Sequence, residues 1–220
     1  LTVEGAGTVA FPNGTTWTTQ TSGTSNDLIE VNYTNDTFVA VGESGTILTS
    51  SDGNSWTSRT SGSTKKLTEV IYANDTFMAV GYEGTILTSP DGTTWTSRTS
   101  GTTIALRGAT YGNSTFVAVG KSGGILTSTD GTSWDNRTSG TSARLDEIIY
   151  GNSTFVTVGN NGTILTSMDG TTWTSRTSGT TENLRGVRFG SSTFVVVGKL
   201  GTVLTSTDGT TWTSRTSGTT

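Results

Sequence analysis

Six tryptophans, Trp17, Trp56, Trp95, Trp134, Trp173 and Trp212, follow one another at a spacing of 39 residues. Phe38, Phe77, Phe116, Phe155 and Phe194 keep the same step, as do Leu28, Leu67, Leu106, Leu145 and Leu184. A sequence with such a period is built by stacking one supersecondary unit, each copy burying a face that it cannot bury alone. One copy reads LTEVIYANDTFMAVGYEGTILTSPDGTTWTSRTSG. It divides into short runs of β-branched and aromatic residues with turn residues between them. Leu67 to Tyr72 and Thr76 to Val80 are separated by Asn74-Asp75, as a tight hairpin would separate them. Gly81 to Gly84 then turns into Thr85 to Ser89, and Asp91-Gly92 turns that run into Thr94 to Thr99. Four antiparallel strands per unit match one blade of a β-propeller. No segment shows the apolar period of about 3.6 residues that a helical repeat would need.

The fold class expected is therefore all-β, a propeller of four-stranded blades in one domain over residues 1–220. A partial repeat occupies 1–23, followed by repeats over about 24–62, 63–101, 102–140, 141–179 and 180–220. Tryptophan-bearing fourth strands count to six, whereas leucine-led first strands count to five. The leading piece GTVAFPNGTTWTTQTSGT aligns with the third and fourth strands of later copies, and Leu1 to Gly5 reads as the remnant of a second strand. Six blades, one of them incomplete, is the favoured count, and five blades plus an extra N-terminal hairpin is the alternative. An incomplete blade leaves an unpaired strand edge, so a homodimer formed by strand exchange is expected.

Composition removes several functions. With no cysteine and no histidine, disulfides, thiolate or imidazole metal sites, Ser-His triads and histidine acid–base chemistry are excluded. No apolar run approaches the roughly 20 residues of a membrane-spanning helix, so no membrane insertion is expected. A formal net charge of −4 argues against nucleic acid as a partner. Richness in Ser, Thr and Gly, together with the acidic balance, points to a secreted or cell-surface protein.

The third-to-fourth turn reads Ser50-Ser51-Asp52-Gly53-Asn54-Ser55-Trp56 in one copy and Ser89-Pro90-Asp91-Gly92-Thr93-Thr94-Trp95 in the next, with equivalents around Asp130, Asp169 and Asp208. The GTILTS-x-DG-x-x-W string, preceded by F-x-x-VG, resembles the Asp-box or BNR-like repeat of sialidase-type, sortilin-type and photosystem II assembly factor-like propellers. The likeness covers nearly the whole chain, with one departure: glycine directly follows aspartate, which makes the turn one residue shorter than the family's box. It implies Asp-boxes on the periphery, away from any active centre. The residues read the same way by themselves. An aspartate at a turn accepts backbone N–H groups ahead of it, glycine supplies a positive φ, and a serine two residues earlier bonds the same turn. Asp52, Asp91, Asp130, Asp169 and Asp208 are thus structural, as are the six tryptophans. Each tryptophan is expected to pack between neighbouring blades, worth roughly 4–6 kcal/mol at most if fully buried. Arg59, Arg98, Arg137, Arg176 and Arg215 recur three residues after each later tryptophan and read as a charged outer edge that resists strand pairing.

Positions that vary among otherwise near-identical copies are free of the fold, so a binding site is sought there. One group lies in the loop into the first strand and in that strand: Asn26, Asp27 and Glu30, then Lys65, Lys66 and Glu69, then Arg107, then Arg144, Asp146 and Glu147, then Glu182 and Arg185. The other is the turn between second and third strands, Glu43-Ser44, Tyr82-Glu83, Lys121-Ser122, Asn160-Asn161 and Lys199-Leu200. In a propeller the first strand lines the central channel, and the mixed charge there reads as a recognition surface. A glycosidase would need a carboxylate pair, for which Glu30, Glu69 and Glu147 are the matching positions. A sialidase would further need converging arginines and a Tyr-Glu pair, but the repeating arginines are spread from blade to blade and Tyr33, Tyr72, Tyr111 and Tyr150 recur as a packing position. No catalytic residue, metal ligand or cofactor is assigned. The function expected is a non-catalytic binding propeller for a glycan or a protein ligand; the alternative is a structural scaffold of amplified repeats, natural or engineered.

Overall fold

Asn74 and Asp75 both have positive φ, +48° and +55°. That pair of values defines a type I′ turn, whose twist matches the right-handed twist of the strands it joins. Asn35-Asp36, Asn113-Ser114, Asn152-Ser153 and Ser191-Ser192 repeat it. The turn sets Ala73 opposite Thr76 and, with one irregularity, carries the register back to Leu67 opposite Gly81. A short turn at Tyr82–Gly84, with Glu83 at φ +55°, then reverses the chain into the third strand.

The computed structural model describes residues 8–12 and 17–218. It begins with a two-stranded antiparallel sheet, β1 (Thr8–Pro12) and β2 (Trp17–Thr21). Blade 1 comprises β3 (Leu28–Thr34), β4 (Thr37–Gly42), β5 (Ile47–Ser50) and β6 (Thr57–Arg59). Blade 2 comprises β7 (Leu67–Ala73), β8 (Thr76–Gly81), β9 (Ile86–Ser89) and β10 (Thr96–Arg98). Blade 3 is β11 (Leu106–Gly112), β12 (Thr115–Gly120), β13 (Ile125–Ser128) and β14 (Asp135–Arg137), and blade 4 is β15 (Leu145–Gly151), β16 (Thr154–Gly159), β17 (Ile164–Ser167) and β18 (Thr174–Arg176). Blade 5 is β19 (Leu184–Gly190), β20 (Thr193–Gly198), β21 (Val203–Ser206) and β22 (Thr213–Arg215). Every blade is an antiparallel meander whose spatial order is its chain order.

Complete blades among the described residues number five, preceded by a two-stranded hairpin, which agrees with the alternative of five blades plus an N-terminal hairpin rather than with the favoured six of which one is incomplete. Among the described residues, the copy that carries Trp17 supplies the hairpin β1–β2; the leucine-led first strand and the F-x-x-VG second strand each occur five times in the sequence. Leu1 to Gly5, read as a strand remnant, and the Trp17 side chain lie outside the described residues. The fourth strand is also shorter than expected. Only Thr96–Arg98 pair with β9 in blade 2, because the aspartate turn occupies the preceding residues.

The chain forms two compact units, Leu1–Thr99 and Ser100–Thr220. In the first, Val39, Val41 and Ile47 of blade 1 pack against Leu67, Val70, Phe77, Ala79 and Leu87 of blade 2. In the second, Val117, Val119 and Ile125 of blade 3 pack against Leu145, Ile148, Phe155 and Leu165 of blade 4. Val156, Val158 and Ile164 then pack against Leu184, Val187, Phe194, Val196 and Leu204 of blade 5. The second strand explains this economy. Its residues alternate between faces, so Phe155 faces one neighbouring blade while Val156 and Val158 face the other. A strand buried on both sides reads as an unbroken apolar run, as TFVAVG does.

The aromatic weight of each interface falls on phenylalanine, which corrects the emphasis that the tryptophan period suggested. Phe77, Phe116, Phe155 and Phe194 are fully buried, while Trp95, Trp173 and Trp212 are half-buried against the same clusters. Phe155 stands between Tyr150 and Trp173 at centroid distances of 4.6 and 6.4 Å. The indoles of Trp56, Trp95, Trp134, Trp173 and Trp212 also donate back to the glycine carbonyl of their own turn, Trp173 Nε1 to Gly170 O at 2.9 Å. The ring is thus a lid over the phenylalanine, pinned by its turn. Urea unfolding tests this ranking: Phe155→Ala is expected to cost about 3–5 kcal/mol, and Trp173→Ala, which removes a half-buried ring and one hydrogen bond, about 2 kcal/mol.

Candidate functional site

Each first strand skips one residue in its pairing with the second. Leu106 pairs with Gly120 and Gly108 with Val119, which leaves Arg107 as the extra residue. The same irregularity omits Asp146 between Leu145 and Glu147, and Arg185 between Leu184 and Gly186. A β-bulge bends its strand and re-aims the unpaired residue. Arg107, Asp146 and Arg185 are 39 residues apart, and stacking blades 3, 4 and 5 in the second unit turns that sequence period into side-by-side placement.

Asp146 is the centre of the group. Its side chain is 4% exposed, and four guanidinium nitrogens surround it. Arg107 Nε donates to Oδ1 at 2.7 Å, and Arg185 Nη1 donates to Oδ2 at 2.6 Å. Arg144 Nη2 donates to Oδ2 at 3.0 Å; its Nε lies 2.8 Å from Oδ1 without hydrogen-bond geometry. Arg185 also reaches Asn160 Oδ1 at 3.3 Å. A buried carboxylate is costly unless paired, and here three cations share one anion, leaving two positive charges in excess. Burial pushes the Asp146 carboxyl above its ordinary value, while Arg144 and Arg107 pull it down. Glu147, the next residue, is also pushed up by burial and opposed by Arg188, whose Nη1 lies 3.2 Å from Glu147 Oε2. Protonation of either acid as pH falls makes the group more positive.

The predicted residues of the first unit behave differently. Lys66 bridges to Glu43 of the preceding blade at 2.7 Å, and Lys65 to Glu83 at 2.7 Å. Lys66 Nζ also lies 5.8 Å from the centroid of the Tyr82 ring. These charges cancel pairwise at the surface, where such bridges contribute little. Asn26 Nδ2 donates to Thr46 Oγ1 at 2.8 Å, and the Asp27 carbonyl accepts from Glu43 N–H at 2.9 Å. Glu30 and Glu69 are half-buried on β3 and β7, each just after its bulge. In the second unit Glu182 shapes a loop, its carbonyl accepting from Gly162 N–H at 2.8 Å. Sequence reading named every member of the arginine group but not Arg188. Its signal was present: Asn32, Ile71, Thr110 and Ile149 occupy that strand position in the other copies.

The aspartate turns form one repeated network. Asp52 Oδ1 accepts from Asn54 N–H and Ser55 N–H, both at 2.8 Å, and from Ser50 Oγ at 2.9 Å. Gly53, at φ +73°, donates its N–H to Ser50 Oγ; any other residue would be strained there. Asp91, Asp130, Asp169 and Asp208 repeat the pattern. Among the described residues, every one of these acids is engaged within its own turn. The recurring arginines lie across their own sheets, with Arg59 Nε on Thr49 Oγ1 at 2.8 Å and its four equivalents at 2.7–2.8 Å. Beside them run polar grooves. Thr37, Thr49, Thr57 and Arg59 with Asp91 and Thr93 line one of about 300 Å³. Thr154, Thr166, Thr174 and Arg176 with Asp208 and Thr210 line another of about 500 Å³.

Among the described residues no group of three or more Asp or Glu is placed to hold a metal ion, and no helix is long and apolar enough to cross a membrane. No protein-family model and no curated protein matches the sequence. Solved structures do. YCF48 bound to D1 peptide is similar with a TM-score of 0.74 and 20% identity, over 96% of this chain and 75% of that one. YCF48 from Cyanidioschyzon merolae is similar with a TM-score of 0.67 and 16% identity, over 92% and 75%. The computationally designed Ika8 protein is similar with a TM-score of 0.70 and 13% identity, over 85% of this chain and 60% of that one. At these identities the likeness is one of fold, the β-propeller.

The turn network makes a pH prediction. Hydrogen bonds from the Ser55 and Asn54 amides hold Asp52 at about 2, below its ordinary 3.8. The other four aspartates are lowered too, Asp91 and Asp130 chiefly by the Thr93 and Thr132 hydroxyls, Asp169 and Asp208 chiefly by the Thr172 and Thr211 amides. A folded-state value below the unfolded one contributes stability that is present above the unfolded value and lost as pH falls through the folded one. Urea midpoints are therefore expected to hold steady from neutral pH to about 5 and to fall below about 4. Asp52→Asn should lower the midpoint at neutral pH and flatten the fall, and the difference between the two proteins isolates this turn.

Proposed function

We propose that the protein is a non-catalytic, peptide-binding propeller that takes a carboxylate-bearing segment on the arginine group of its second unit. The observation that carries this reading is the excess of two positive charges around Asp146, concentrated in a chain of net charge −4. Arg107, Arg144 and Arg185 are each partly exposed, and the planar fork of guanidinium suits two-point contact with a carboxylate. A solved fold neighbour being YCF48 bound to D1 peptide supports a peptide as occupant. The non-catalytic part rests on engagement: guanidinium groups occupy both oxygens of Asp146, and Arg188 holds Glu147. The Ser-x-Asp-Gly turn with its capping tryptophan supports placing the chain with the Asp-box propellers. Its composition supports a secreted or cell-surface setting.

A lectin-like reading rests on a separate observation, the threonine-lined grooves that recur with the repeat. Several weak sites on one scaffold would add through multivalency.

Fluorescence anisotropy with labelled peptides separates the two. A peptide ending in acidic residues is expected to bind with micromolar affinity, to weaken with salt, and to lose at least about tenfold in Arg107→Gln and in Arg185→Gln, while Lys65→Gln has no effect. Equal binding of a neutral, amidated peptide would overturn the carboxylate reading. Glycan binding lost in Arg176→Gln would move the function to the grooves, and silence toward both would favour a scaffold.

A further inference from the structure

The turn position between serine and aspartate holds a polar residue or proline in four copies, Ser51, Pro90, Thr129 and Thr207, and a methionine in one, Met168. Met168 is 73% exposed and lines the groove of about 500 Å³ in the second unit. The groove of about 300 Å³ in the first unit has Ser51 at that place. The frame does not call for an exposed thioether there, since the turn network uses Ser167, Asp169 and Gly170. The backbone of the residue is nevertheless held: Asn113 Nδ2 of blade 3 donates to the Met168 carbonyl at 3.3 Å. An unbranched, polarisable side chain on a fixed rim adapts to the apolar face of a small ligand.

Blades 4 and 5 set the walls of this groove. Asn152 Nδ2 of blade 4 donates to the Thr207 carbonyl of blade 5 at 3.3 Å. A Cβ at Gly209 would stand 3.6 Å from Thr154 Cγ2, so the Asp208 turn rests on blade 4 at van der Waals distance. Thr166 and Thr174 form a cross-strand pair along the floor. Arg176 Nε donates to Thr166 Oγ1 at 2.8 Å, and among the described residues neither of its Nη atoms has a partner. Across from it, Asp208 Oδ1 accepts from the Thr210 and Thr211 amides and from Ser206 Oγ; a carboxylate has lone pairs beyond these. Two acids, Asp169 and Asp208, and one cation, Arg176, line the groove, so an anion is disfavoured there, in contrast to the arginine group. Guanidinium donors, carboxylate acceptors and threonine hydroxyls suit a ligand whose own hydroxyls both donate and accept. The volume is that of a small-molecule site.

We propose that the groove between blades 4 and 5 binds one neutral pyranose unit, its hydroxyls on Arg176 and Asp208 and its C–H face on Met168. The inference deepens the lectin-like reading, on which it rests, and does not involve the arginines around Asp146. It singles out one groove of a repeated set, because Met168 is the one methionine at its turn position.

Methyl NMR of methionine-labelled protein tests it. The chain has two methionines, and the other, Met78, is fully buried in the first unit and serves as the internal control. On titration with the methyl glycosides of glucose, galactose and mannose, the Met168 signal is expected to shift saturably with at least one of them, with a dissociation constant on the order of 1 mM, while Met78 stays still. The affinity should not change with salt, since the ligand is uncharged. Arg176→Gln should weaken binding at least about tenfold, and Thr174→Val, which keeps the strand and removes one floor hydroxyl, should weaken it as well. Circular dichroism melts matching wild type show that the variants fold. No saturable shift of Met168 with any of the three glycosides, or a shift equally strong in both variants, would overturn the proposal. Saturation transfer from protein to sugar without movement of Met168 would overturn it too while leaving the lectin-like reading to another groove, and silence in both measurements would remove that reading with it.

Discussion

A meander of four short strands has two faces and can bury neither alone. Everything else in this protein follows from how that burial is arranged. Its second strand is apolar on both sides, so one segment of six residues serves two interfaces, phenylalanine toward one neighbour and a pair of small side chains toward the other. Within each unit, the requirement that one blade cover the next makes the copies alike. Val195 and Val197 are exposed for the same reason that Val156 and Val158 are not.

Once neighbours are stacked, a local irregularity acquires a function that no single blade could carry. The bulge in each first strand sets aside one residue from the ladder, and a bulge in one copy would only tilt one side chain. Repeated in three adjacent blades, it delivers Arg107, Asp146 and Arg185 to one place, and Arg144 joins from two residues upstream. The first unit has the same bulge but carries Ile29 and Thr68 on it, with its lysines paired off against Glu43 and Glu83. The same bulge therefore holds charged side chains in the second unit and uncharged ones in the first. The division of labour is clean: the aspartate turns and lid tryptophans maintain the frame, and the first-strand bulge is where residues vary.

Much was legible from residue order because it depends on neighbours in the chain. Asn74-Asp75 and its equivalents announce a two-residue turn, since Asn and Asp tolerate positive φ. Ser50, Asp52 and Gly53 announce the turn network for the same local reason. The variable positions Arg107, Arg144, Asp146 and Arg185 were also visible as departures from the repeat. What stayed hidden were matters of packing. Tryptophan marks the period most plainly, yet phenylalanine is the ring fully buried, because the indole must stay near the surface to bond its own turn carbonyl.

By itself, then, the order of residues determined a 39-residue period, four strands per copy, the positions of the turns and which residues vary. These are consequences of short-range sterics and hydrogen bonding, complete within one repeat. Tertiary structure decided that five blades are complete among the described residues, that three arginines share one carboxylate, and that Val195 and Val197 of blade 5 are exposed where their counterparts are buried. The physical reason is that a residue's distance from its counterpart one period away has no meaning along the strand. It becomes a contact of 2.6–2.7 Å only when burial stacks one sheet on the next and the bulge turns both side chains to the same side.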